Sequence, residues 1–443
     1  MSRPGASGAS RARVRAARRR GRQRLALLVS APVVAVVVAF NLPGARGPTR
    51  VAVSSARAHR RSLLAPQPLL RSSLVPSVVI PGRTVALPFP RTGEGAVAVG
   101  GLGIVASTRN ERSVPVASVT KLMTAYIVLK DHPLHGRSGG PIFTMTAADH
   151  KAWIRASEAD ESNIEVKAGE RLDERQLLQA LMIPSADNIA NYLAVWDAGS
   201  MRAFVAKMNA AAAAMHLRGT HFADPSGLSP GSRGSAVDMV RLATVALQNP
   251  ELRQIVDEQF IRLPVMGKIW NNYDPAVGVD GIIGGKSGYT PAAQTNLVTA
   301  AWRRVGGHRV LVVCGVIDQP DSLVGDAGQD EALLNAVTPE LRVTRLMPAK
   351  ESIGEATATW SQARSAVTTA KVVSAVGWPG LRLRTRLVRV ARSPRLARGW
   401  PAGSVVGILD VEYPFATLLK DPAILQSSLG QPPPGWVPST SSG

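Results

Sequence analysis

The chain has 443 residues, with 52 Lys and Arg against 31 Asp and Glu, which gives a formal net charge of +21. This length allows two domains with cores of their own, and an apolar content of 45% excludes a chain that is disordered throughout. The single cysteine, Cys314, excludes an internal disulfide framework and a cysteine-based zinc site.

The excess positive charge lies in two segments. Residues 1–93 contain 17 arginines and no acid, and residues 382–398 contain seven arginines and no acid. The remaining 28 basic residues stand against all 31 acidic ones, so the bulk of the chain lacks the basic surface that nucleic-acid binding requires. We therefore expect no nucleic-acid partner.

The N-terminal segment has the order of a secretion or membrane-insertion signal. Nine arginines within residues 1–24 precede an apolar run at 25–40. Extended to Leu42, this run approaches the length of helix that a bilayer core of about 30 Å requires.

Cleavage of this segment is an alternative, because Ala56-Arg57-Ala58 has the small-x-small pattern, although it lies rather far downstream. A buried core helix behind a disordered basic tail is a second alternative. We favour a basic cytoplasmic segment at 1–24 and an uncleaved signal anchor at 25–42, which places the rest outside the cell membrane.

Residues 43–92 are predicted to be a Pro- and Arg-rich extended linker, because their frequent prolines block long helices. Globular patterns begin at residue 93 and continue to about 335. They predict hairpins at 96–105 and 295–317, and helices at 118–130, 172–182, 188–195 and after Ser200, which can cap the last of these. Strands at both ends with helices between them predict an α+β fold.

The pattern changes after residue 348. Short apolar, β-prone runs at 357–360, 371–376, 381–390 and 404–411 are separated by Gly and Pro. We predict a small all-β domain at 348–420 and a disordered tail at 421–443.

Three short motifs carry chemistry, and the first is Ser118-Val119-Thr120-Lys121. At the start of a helix, a spacing of three residues lets a Ser hydroxyl and a Lys amine meet, and the free N–H groups of the first turn can bind an oxyanion. A capping Ser with a solvated Lys is the alternative, but Lys121 stands among apolar residues.

The second motif is Lys286-Ser287-Gly288, which follows two glycines and precedes the last hairpin. A cation, a hydroxyl and a glycine on an edge strand suit a substrate carboxylate and the close approach of its backbone. A Gly-rich turn with an exposed Lys is the alternative.

The third motif, Ser185-Ala186-Asp187, lies between the other two, in a turn between two predicted helices. Its hydroxyl and polar side chain can reach the same cleft. An N-cap for the following helix is an equally good explanation of this motif alone.

In this order and spacing, the three motifs resemble those of the penicillin-recognising serine enzymes, S-x-x-K, S-x-N and K-T-G. The resemblance is closer to the D-alanyl-D-alanine carboxypeptidases, which are low-molecular-mass penicillin-binding proteins. It extends over roughly residues 93–335 and is supported by the stretches 116–125, 181–185, 222–228 and 284–291.

The resemblance implies a β-lactamase/transpeptidase-like domain with an antiparallel sheet, helices on both sides, and often a β domain behind it. It implies a serine D-Ala-D-Ala carboxypeptidase of cell-wall peptidoglycan, with no cofactor and no metal. The implied partners are stem peptides ending in D-Ala-D-Ala, β-lactams as covalent inhibitors, and the membrane through the N-terminal anchor.

The resemblance also implies roles for individual residues. Ser118 is the acylated nucleophile, Lys121 its general base, and Ser185 a relay of the proton toward the leaving amine. Substrate-binding positions are Lys286 and Ser287 for the terminal carboxylate, Gly288 beside it, Tyr289 with its backbone N–H in the oxyanion hole, and Asp187.

Two positions depart from the family pattern. Ser287 replaces the commoner Thr and keeps the hydroxyl. Asp187 stands where the family usually has Asn, and an ionised Asp cannot donate a hydrogen bond to a substrate carbonyl. It can pair with Lys121 and oppose its role as a base, unless Asn188 takes its place through a shift of the turn.

Two other functions are weighed against this one. A β-lactamase of class A would need a deacylating Glu, and residues 221–228 lack the expected Glu and Asn pair. A cell-wall-binding protein that is weakly catalytic or non-catalytic, with its chemistry damaged at Asp187, remains open. The arginines of 382–398 alternate with apolar residues in part, which indicates either a solvated strand face or contact with an anionic envelope surface.

Overall fold

The computed structural model describes residues 66–109, 111–263, 269–320, 322–390, 399–412 and 418–436, all within one compact unit, His59–Gly443. The predicted basic segment at 1–24, the predicted anchor at 25–42 and the linker up to residue 65 lie outside these residues. Within them, no helix has both the length and the apolar character that a bilayer crossing requires.

The strands before the middle of the chain are β1 Leu69–Ser72, β2 Ser77–Val79, β3 Glu94–Val99, β4 Gly103–Ser107, β5 Val114–Pro115, β6 Ile142–Thr144, β7 Arg171–Asp173 and β8 Arg233–Gly234. The later strands are β9 Phe260–Arg262, β10 Ile269–Asn271, β11 Ile282–Thr290, β12 Gln294–Val305, β13 His308–Gln319, β14 Arg342–Met347, β15 Ser352–Thr357, β16 Arg364–Thr369, β17 Val373–Gly377, β18 Arg382–Arg389, β19 Val405–Glu412 and β20 Leu418–Leu425.

The helices are α1 Lys121–Asp131, α2 Ala147–Glu158, α3 Glu174–Met182, α4 Asp187–Ala198, α5 Met201–Ala214, α6 Ala236–Ala246, α7 Pro250–Val256 and α8 Leu323–Val337, with 3-10 turns at Ala117–Thr120 and Thr338–Glu340. As predicted, Ser200 caps α5 by accepting a hydrogen bond from the backbone N–H of Ala203.

A five-stranded antiparallel sheet in the order β11-β12-β13-β3-β4 joins the two ends of the first domain. The two predicted hairpins are confirmed as β3–β4 and β12–β13, and the second lies in the sheet beside the first. Helix α6 packs against β3 and β13, and α8 packs against β12 and β13. The predicted α+β fold, with helices on both sides of an antiparallel sheet, is therefore confirmed.

Buried side chains fill both sides of this sheet. Val298 and Val313 belong to the larger apolar cluster around α1, α4 and α6, whereas Cys314 packs with Leu333 and Leu334 of α8. Burial raises the pKa of the Cys314 thiol well above its usual value, as suits an unreactive residue of the core.

The last part of the chain forms a β region, as predicted, but two of its predicted boundaries are wrong. Its seven-stranded sheet has the order β1-β15-β16-β20-β19-β18-β2. Strands β1 and β2 lie within the predicted linker, where each pairs with an edge of this sheet, because the prolines there lie outside the two strands.

The predicted disordered tail is also wrong for the residues that the structure describes. Strand β20 includes residues 421–425 and pairs with β16 and β19, and Leu429 is buried in the core of the β region. This part of the chain is rich in Pro, but β20 lies between β16 and β19 in the middle of the sheet, and apolar residues of β20 are buried in the core. Residues 437–443 lie outside the description.

The strand predicted at 357–360 is wrong, because the strand of this region, β15, lies earlier in the chain and ends at Thr357. Trp360 lies in a turn after this strand, and its side chain is buried in the core of the β region. In β18, Arg382, Arg384 and Arg386 are exposed while the residues between them are buried, as the alternation predicts.

Candidate active site

Ser118 lies in a 3-10 turn that leads directly into α1, at a cavity of about 480 Å³. The preceding residue, Ala117, has a φ of 45°, and a Cβ on Gly227 would lie 1.8 Å from its carbonyl oxygen. Because Gly227 has no side chain, its loop can lie against the strained backbone of Ala117. This contact fixes the position of the next residue, Ser118, at the cavity.

Lys121, at the first position of α1, is fully buried beside Ser118. Its Nζ donates to Ser118 Oγ at 2.8 Å, to Asp187 Oδ1 at 2.5 Å and to the Ser226 carbonyl at 2.9 Å. These three acceptors use the three donors of an ammonium group. The hydroxyl and the lysine that the sequence predicted to meet are thus in direct contact.

The loop that provides the Ser226 carbonyl is folded around Asp224. The carboxylate of Asp224 accepts hydrogen bonds from the hydroxyls of Ser226 and Ser232 and from the backbone N–H of Gly227. Thr124 Oγ1 of α1 donates to the carbonyl of Pro225 in the same loop. Asp224 is a positioning residue that sequence reasoning missed, because an acid in a loop with Pro and Gly has the appearance of an ordinary turn.

Asp187 is the first residue of α4, and its backbone N–H donates to the Ser162 carbonyl at 2.7 Å. Burial raises the pKa of Asp187, and the contact with Lys121 opposes this rise. Asn188 points elsewhere, since its amide bonds both the N–H and the carbonyl of Ile164. The alternative in which Asn188 takes the place of Asp187 is therefore wrong.

Ser185 lies between α3 and α4 with a φ of 61°, a left-handed conformation that is rare for residues other than glycine. Its hydroxyl is buried, and no described residue bonds to it. A buried hydroxyl without a partner costs free energy, so its presence in a cavity is typical of a functional group.

Lys286 lies in β11, at an edge of the five-stranded sheet, and only 2% of it is exposed. Its Nζ donates to the Ser287 carbonyl at 2.8 Å. Burial and the nearby positive charge of Lys121 hold the pKa of Lys286 well below its ordinary value, against the opposing effect of Asp187. The alternative of a Gly-rich turn with an exposed Lys is therefore wrong.

Gly288, two residues further along β11, lies against the start of the Ser118 turn. A Cβ at Gly288 would lie 2.8 Å from the backbone nitrogen of Ser118 and 3.1 Å from that of Val119. Only glycine leaves these N–H groups accessible beside the strand. Ser287 and the largely exposed Tyr289 line the cavity on either side of it.

The structure brings all the predicted site residues to one place and adds others. The cavity is lined by Ser118, Ala159, Asp160, Glu161, Ser162, Ser185, Asp187, Gly227, Leu228, Tyr273, Ser287, Gly288, Tyr289, Thr290, Pro291 and Leu323. Among these, burial and then the nearby Asp187 raise the pKa of Glu161. Neither Glu161 nor Tyr273 stands in a motif, so no sequence pattern pointed to them.

In the parts of the chain that the structure describes, no group of His, Cys, Asp and Glu is arranged to hold a metal ion. The chemistry available at the cavity is that of hydroxyls, two lysines, carboxylates and backbone N–H groups. Such a set suits acyl transfer to a serine.

Comparison with known proteins agrees with this chemistry. Residues 101–319 match the family model of the D-alanyl-D-alanine carboxypeptidases. A D-alanyl-D-alanine carboxypeptidase of Streptomyces sp. strain K15 is 30% identical over 216 residues, which are 44% of this chain and 69% of that protein. The chain belongs to the D-alanyl-D-alanine carboxypeptidase family.

Other members of the family are similar over shorter shares of their length. DacB2 of Mycobacterium tuberculosis is 34% identical over 45% of this chain and 65% of its own, and DacD of Escherichia coli is 31% identical over 49% and 55%. The chain thus spans between half and two thirds of these relatives. All three sequence motifs lie within the part that matches the family.

Solved structures show the same fold. Penicillin-binding protein 5 of Haemophilus influenzae aligns with a TM-score of 0.57 and 19% identity, over 78% of this chain and 99% of its own. The K15 DD-transpeptidase of Streptomyces aligns with a TM-score of 0.50 and 26% identity, over 57% and 98%. The alignment with the Haemophilus protein covers more of this chain than the family match at 101–319 does. The alignment with the Streptomyces protein is about as long as the predicted domain at 93–335.

Proposed function

We propose that this chain is a serine-type D-Ala-D-Ala carboxypeptidase that acts on peptidoglycan stem peptides through an acyl-enzyme on Ser118. The observation that carries the proposal is the contact of 2.8 Å between Ser118 Oγ and the buried Lys121 Nζ, in a cavity that also holds Ser185 and Ser287. Family membership supports the same reaction class.

The site contains the groups that the reaction requires. Ser118 Oγ attacks the carbonyl carbon between the two D-alanines, and the backbone N–H groups of Ser118 and Tyr289 stabilise the oxyanion. Ser185 passes a proton to the leaving D-alanine, and water then releases the acyl group from Ser118. By resemblance, Lys121 is the base that accepts the serine proton.

Substrate orientation depends on the edge strand. Lys286 and Ser287 bind the terminal carboxylate, and Gly288 lets the peptide backbone lie close to β11, whose free edge faces away from β12. We expect the same groups to hold the carboxylate of a penicillin, which makes β-lactams covalent inhibitors.

Release of D-alanine from a synthetic peptide ending in D-Ala-D-Ala tests the proposal. The purified chain should release one D-alanine for each peptide cleaved, and Ser118→Ala should reduce the rate at least about 1000-fold. Ser138→Ala, at an exposed serine outside the cavity, is the matched control and should leave the rate unchanged. Equal rates in the wild type and Ser118→Ala would overturn the proposal.

The same assay includes the competing functions as outcomes. Release of D-alanine only when a second amine is added would favour a transpeptidase, and rapid hydrolysis of penicillin would favour a β-lactamase. No turnover and no covalent adduct would favour a cell-wall-binding protein. The relatives include a D-alanyl-D-alanine endopeptidase of Pseudomonas aeruginosa, so cleavage of cross-linked peptides belongs in the comparison.

We also propose an extracytoplasmic catalytic domain held by a single N-terminal membrane anchor. The support is the order of nine arginines followed by the apolar run at 25–40. Fractionation of cells that express the full chain tests this: a membrane fraction accessible to external protease is expected, and a cytosolic one would contradict it.

A further inference from the structure

The end of helix α2 brings two acidic residues to the catalytic cavity. The backbone N–H of Asp160 donates to the Ser157 carbonyl at 3.2 Å, just after the last residue of the helix. The backbone N–H of Glu161 donates to the Ala156 carbonyl at 2.9 Å. These two bonds form a Schellman motif, which ends a helix with one residue in the left-handed conformation. Asp160, with a φ of 55°, is that residue, and it lines the cavity together with Glu161.

Neither acid suits the end of a helix. The left-handed position of a Schellman motif is usually occupied by glycine, because a side chain there costs free energy. The C-terminus of a helix also carries the negative end of the helix dipole, which disfavours carboxylates beside it. Two local costs therefore coincide where α2 meets the cavity, and such costs are typical of functional sites.

The loop that carries the two acids is held on its other side as well. The Ser162 carbonyl accepts a hydrogen bond from the backbone N–H of Asp187 at 2.7 Å, and the Asn163 side chain donates to the Glu161 carbonyl at 2.7 Å. Since Asp187 also pairs with Lys121, this loop is tied to the same helix end that carries part of the reacting site.

The cavity has negative charge that the described residues do not balance. Among them, its lining includes Asp160, Glu161 and Asp187 but no lysine, arginine or histidine. The ion-pair partner of Asp187 is Lys121, at 2.5 Å. The carboxylates of Asp160 and Glu161 form no hydrogen bond and no ion pair in the part of the chain that the structure describes. Two carboxylates at the cavity are therefore open to a cation from outside the chain.

The electrostatics of Glu161 agree with this view. Burial and then repulsion from Asp187 raise its pKa, whereas the charge of Lys121 opposes the rise. The charge of Lys286 acts on Asp187 but is not among those that act on Glu161. The two acids thus lie apart from the end of the site at which Lys286 is expected to bind the terminal carboxylate.

We propose that Asp160 and Glu161 bind an ammonium group of the substrate, carried by the side chain of the residue that precedes D-Ala-D-Ala. This inference rests on the proposed function and specifies its substrate class. With the terminal carboxylate at Lys286 and the scissile carbonyl at Ser118, the preceding residue lies further along the cavity, away from Lys286.

An ammonium group fits the chemistry of this part of the cavity. Its three N–H donors match the two carboxylates and the hydroxyl of Ser162, which lines the cavity directly after them. Its charge also offsets the repulsion between Glu161 and Asp187. The buried hydroxyl of Ser185 is an independent sign that the cavity takes a ligand, since it lines the same cavity and no described residue bonds to it.

The proposal implies a preference between substrates. A stem peptide whose side-chain amine is free carries the ammonium, whereas one whose amine has been acylated carries an uncharged amide. The amide leaves the two carboxylates without a cation, so acylated peptides should bind more weakly.

Two synthetic peptides that differ by one acetyl group test the proposal with the full chain. One peptide has lysine before D-Ala-D-Ala, and the other has Nε-acetyl-lysine. The release of D-alanine gives kcat and KM for each. We expect kcat/KM to be at least about 10-fold higher for the free amine, with most of the difference in KM.

A double variant, Asp160→Asn with Glu161→Gln, keeps the size of both side chains and removes their charge. It should reduce the ratio of the two kcat/KM values to less than about 2. Glu158→Gln, at an exposed acid of the same helix that does not line the cavity, is the matched control and should keep the wild-type ratio. A merely structural role of the two acids would slow both peptides alike, and an unchanged ratio in the double variant would overturn the inference.

The salt dependence of the wild type covers the case in which the double variant does not fold. An increase of NaCl from about 20 mM to about 500 mM screens a charged contact and should lower the ratio at least about threefold. A ratio that does not depend on salt would contradict the proposal. Equal, measurable rates for the two peptides in the wild type would overturn it while leaving the proposed function intact. Release of D-alanine from neither peptide by a folded chain would overturn the proposed function, and this inference with it.

Discussion

At the scale of single residues, the site depends on close approaches that only certain side chains permit. Gly288 lies against the backbone nitrogens of Ser118 and Val119, and Gly227 lies against the carbonyl of Ala117. The motif Lys286-Ser287-Gly288 predicted a close approach of the substrate. It did not predict the contact with the Ser118 turn, because the pairing of β11 with this turn is a tertiary feature.

Gly288→Ala is expected to reduce penicillin acylation about 100-fold, because a methyl group 2.8 Å from the Ser118 nitrogen displaces an oxyanion donor. The acylation rate and the unfolding temperature measure the effect. Gly328→Ala is the matched control, since a Cβ at Gly328 has no atom within 4 Å and its helix tolerates alanine. An acylation rate within twofold of the wild type in Gly288→Ala would contradict the described geometry.

At the scale of elements, the loop around Asp224 and the start of α1 act as one support for Lys121. Two hydrogen bonds connect them, from Lys121 Nζ to the Ser226 carbonyl and from Thr124 Oγ1 to the Pro225 carbonyl. The sequence predicted α1 and its apolar faces from periodicity. It could not predict this loop, whose shape is set by one carboxylate that accepts several hydrogen bonds.

Asp224→Ala is expected to lower the free energy of unfolding by roughly 2–4 kcal/mol, since it leaves several buried donors without an acceptor. Acylation should slow as well, because the Ser226 carbonyl no longer holds Lys121. Denaturant unfolding and the penicillin assay measure the two effects. Ser229→Ala, in the same loop, should change neither by much, and equal behaviour of the two variants would argue against the role of Asp224.

Glu174, at the start of α3, makes stability depend on pH. Burial, followed by the charge of Asp173, raises its pKa from 4.5 to about 7, although Arg175 opposes this. The folded state therefore favours the protonated form of Glu174. The contribution of this proton to the free energy of unfolding is complete below pH 4.5 and is lost as the pH rises through 7. At roughly 1.4 kcal/mol for each pKa unit, the loss is about 3 kcal/mol.

Glu174→Gln should remove this dependence. Unfolding free energies of the wild type and the variant are compared at pH 5 and pH 8. Because part of the stabilisation is already lost at pH 5, the difference between them should shift by about 2.5 kcal/mol in favour of the variant at the higher pH. A difference that does not change with pH would mean that the carboxyl is solvated in the folded chain.

At the scale of the whole molecule, the net charge of +21 arises from segments that flank the catalytic domain. The two hairpins of the five-stranded sheet and helices α1, α3, α4 and α5 were predicted from hydrophobic periodicity, because strands and helices leave local patterns. Helices α2, α6, α7 and α8 were not predicted. The strands at residues 69–72 and 77–79 were missed, since they are short and their partners lie about 300 residues away. The prolines of this segment predicted a linker. In the structure, however, β1 and β2 pair with strands far along the chain and form the two edges of the seven-stranded sheet.

Removal of these two strands tests their contribution. A chain that starts at residue 81 should lose the edge partners of β15 and β18, and its unfolding temperature should fall below that of a chain that starts at residue 66. Penicillin labelling of Ser118 should persist in both, since the first domain keeps its own core. Equal unfolding temperatures would show that the strands add no stability.

The site of the penicillin adduct tests the central claim most directly. The purified chain is incubated with penicillin, digested, and analysed by mass spectrometry. The proposed mechanism predicts one added penicillin per chain, on the peptide that contains Ser118, and no adduct in Ser118→Ala. An adduct on another residue, or none in a chain shown to be folded, would contradict a serine acyl-enzyme at this site.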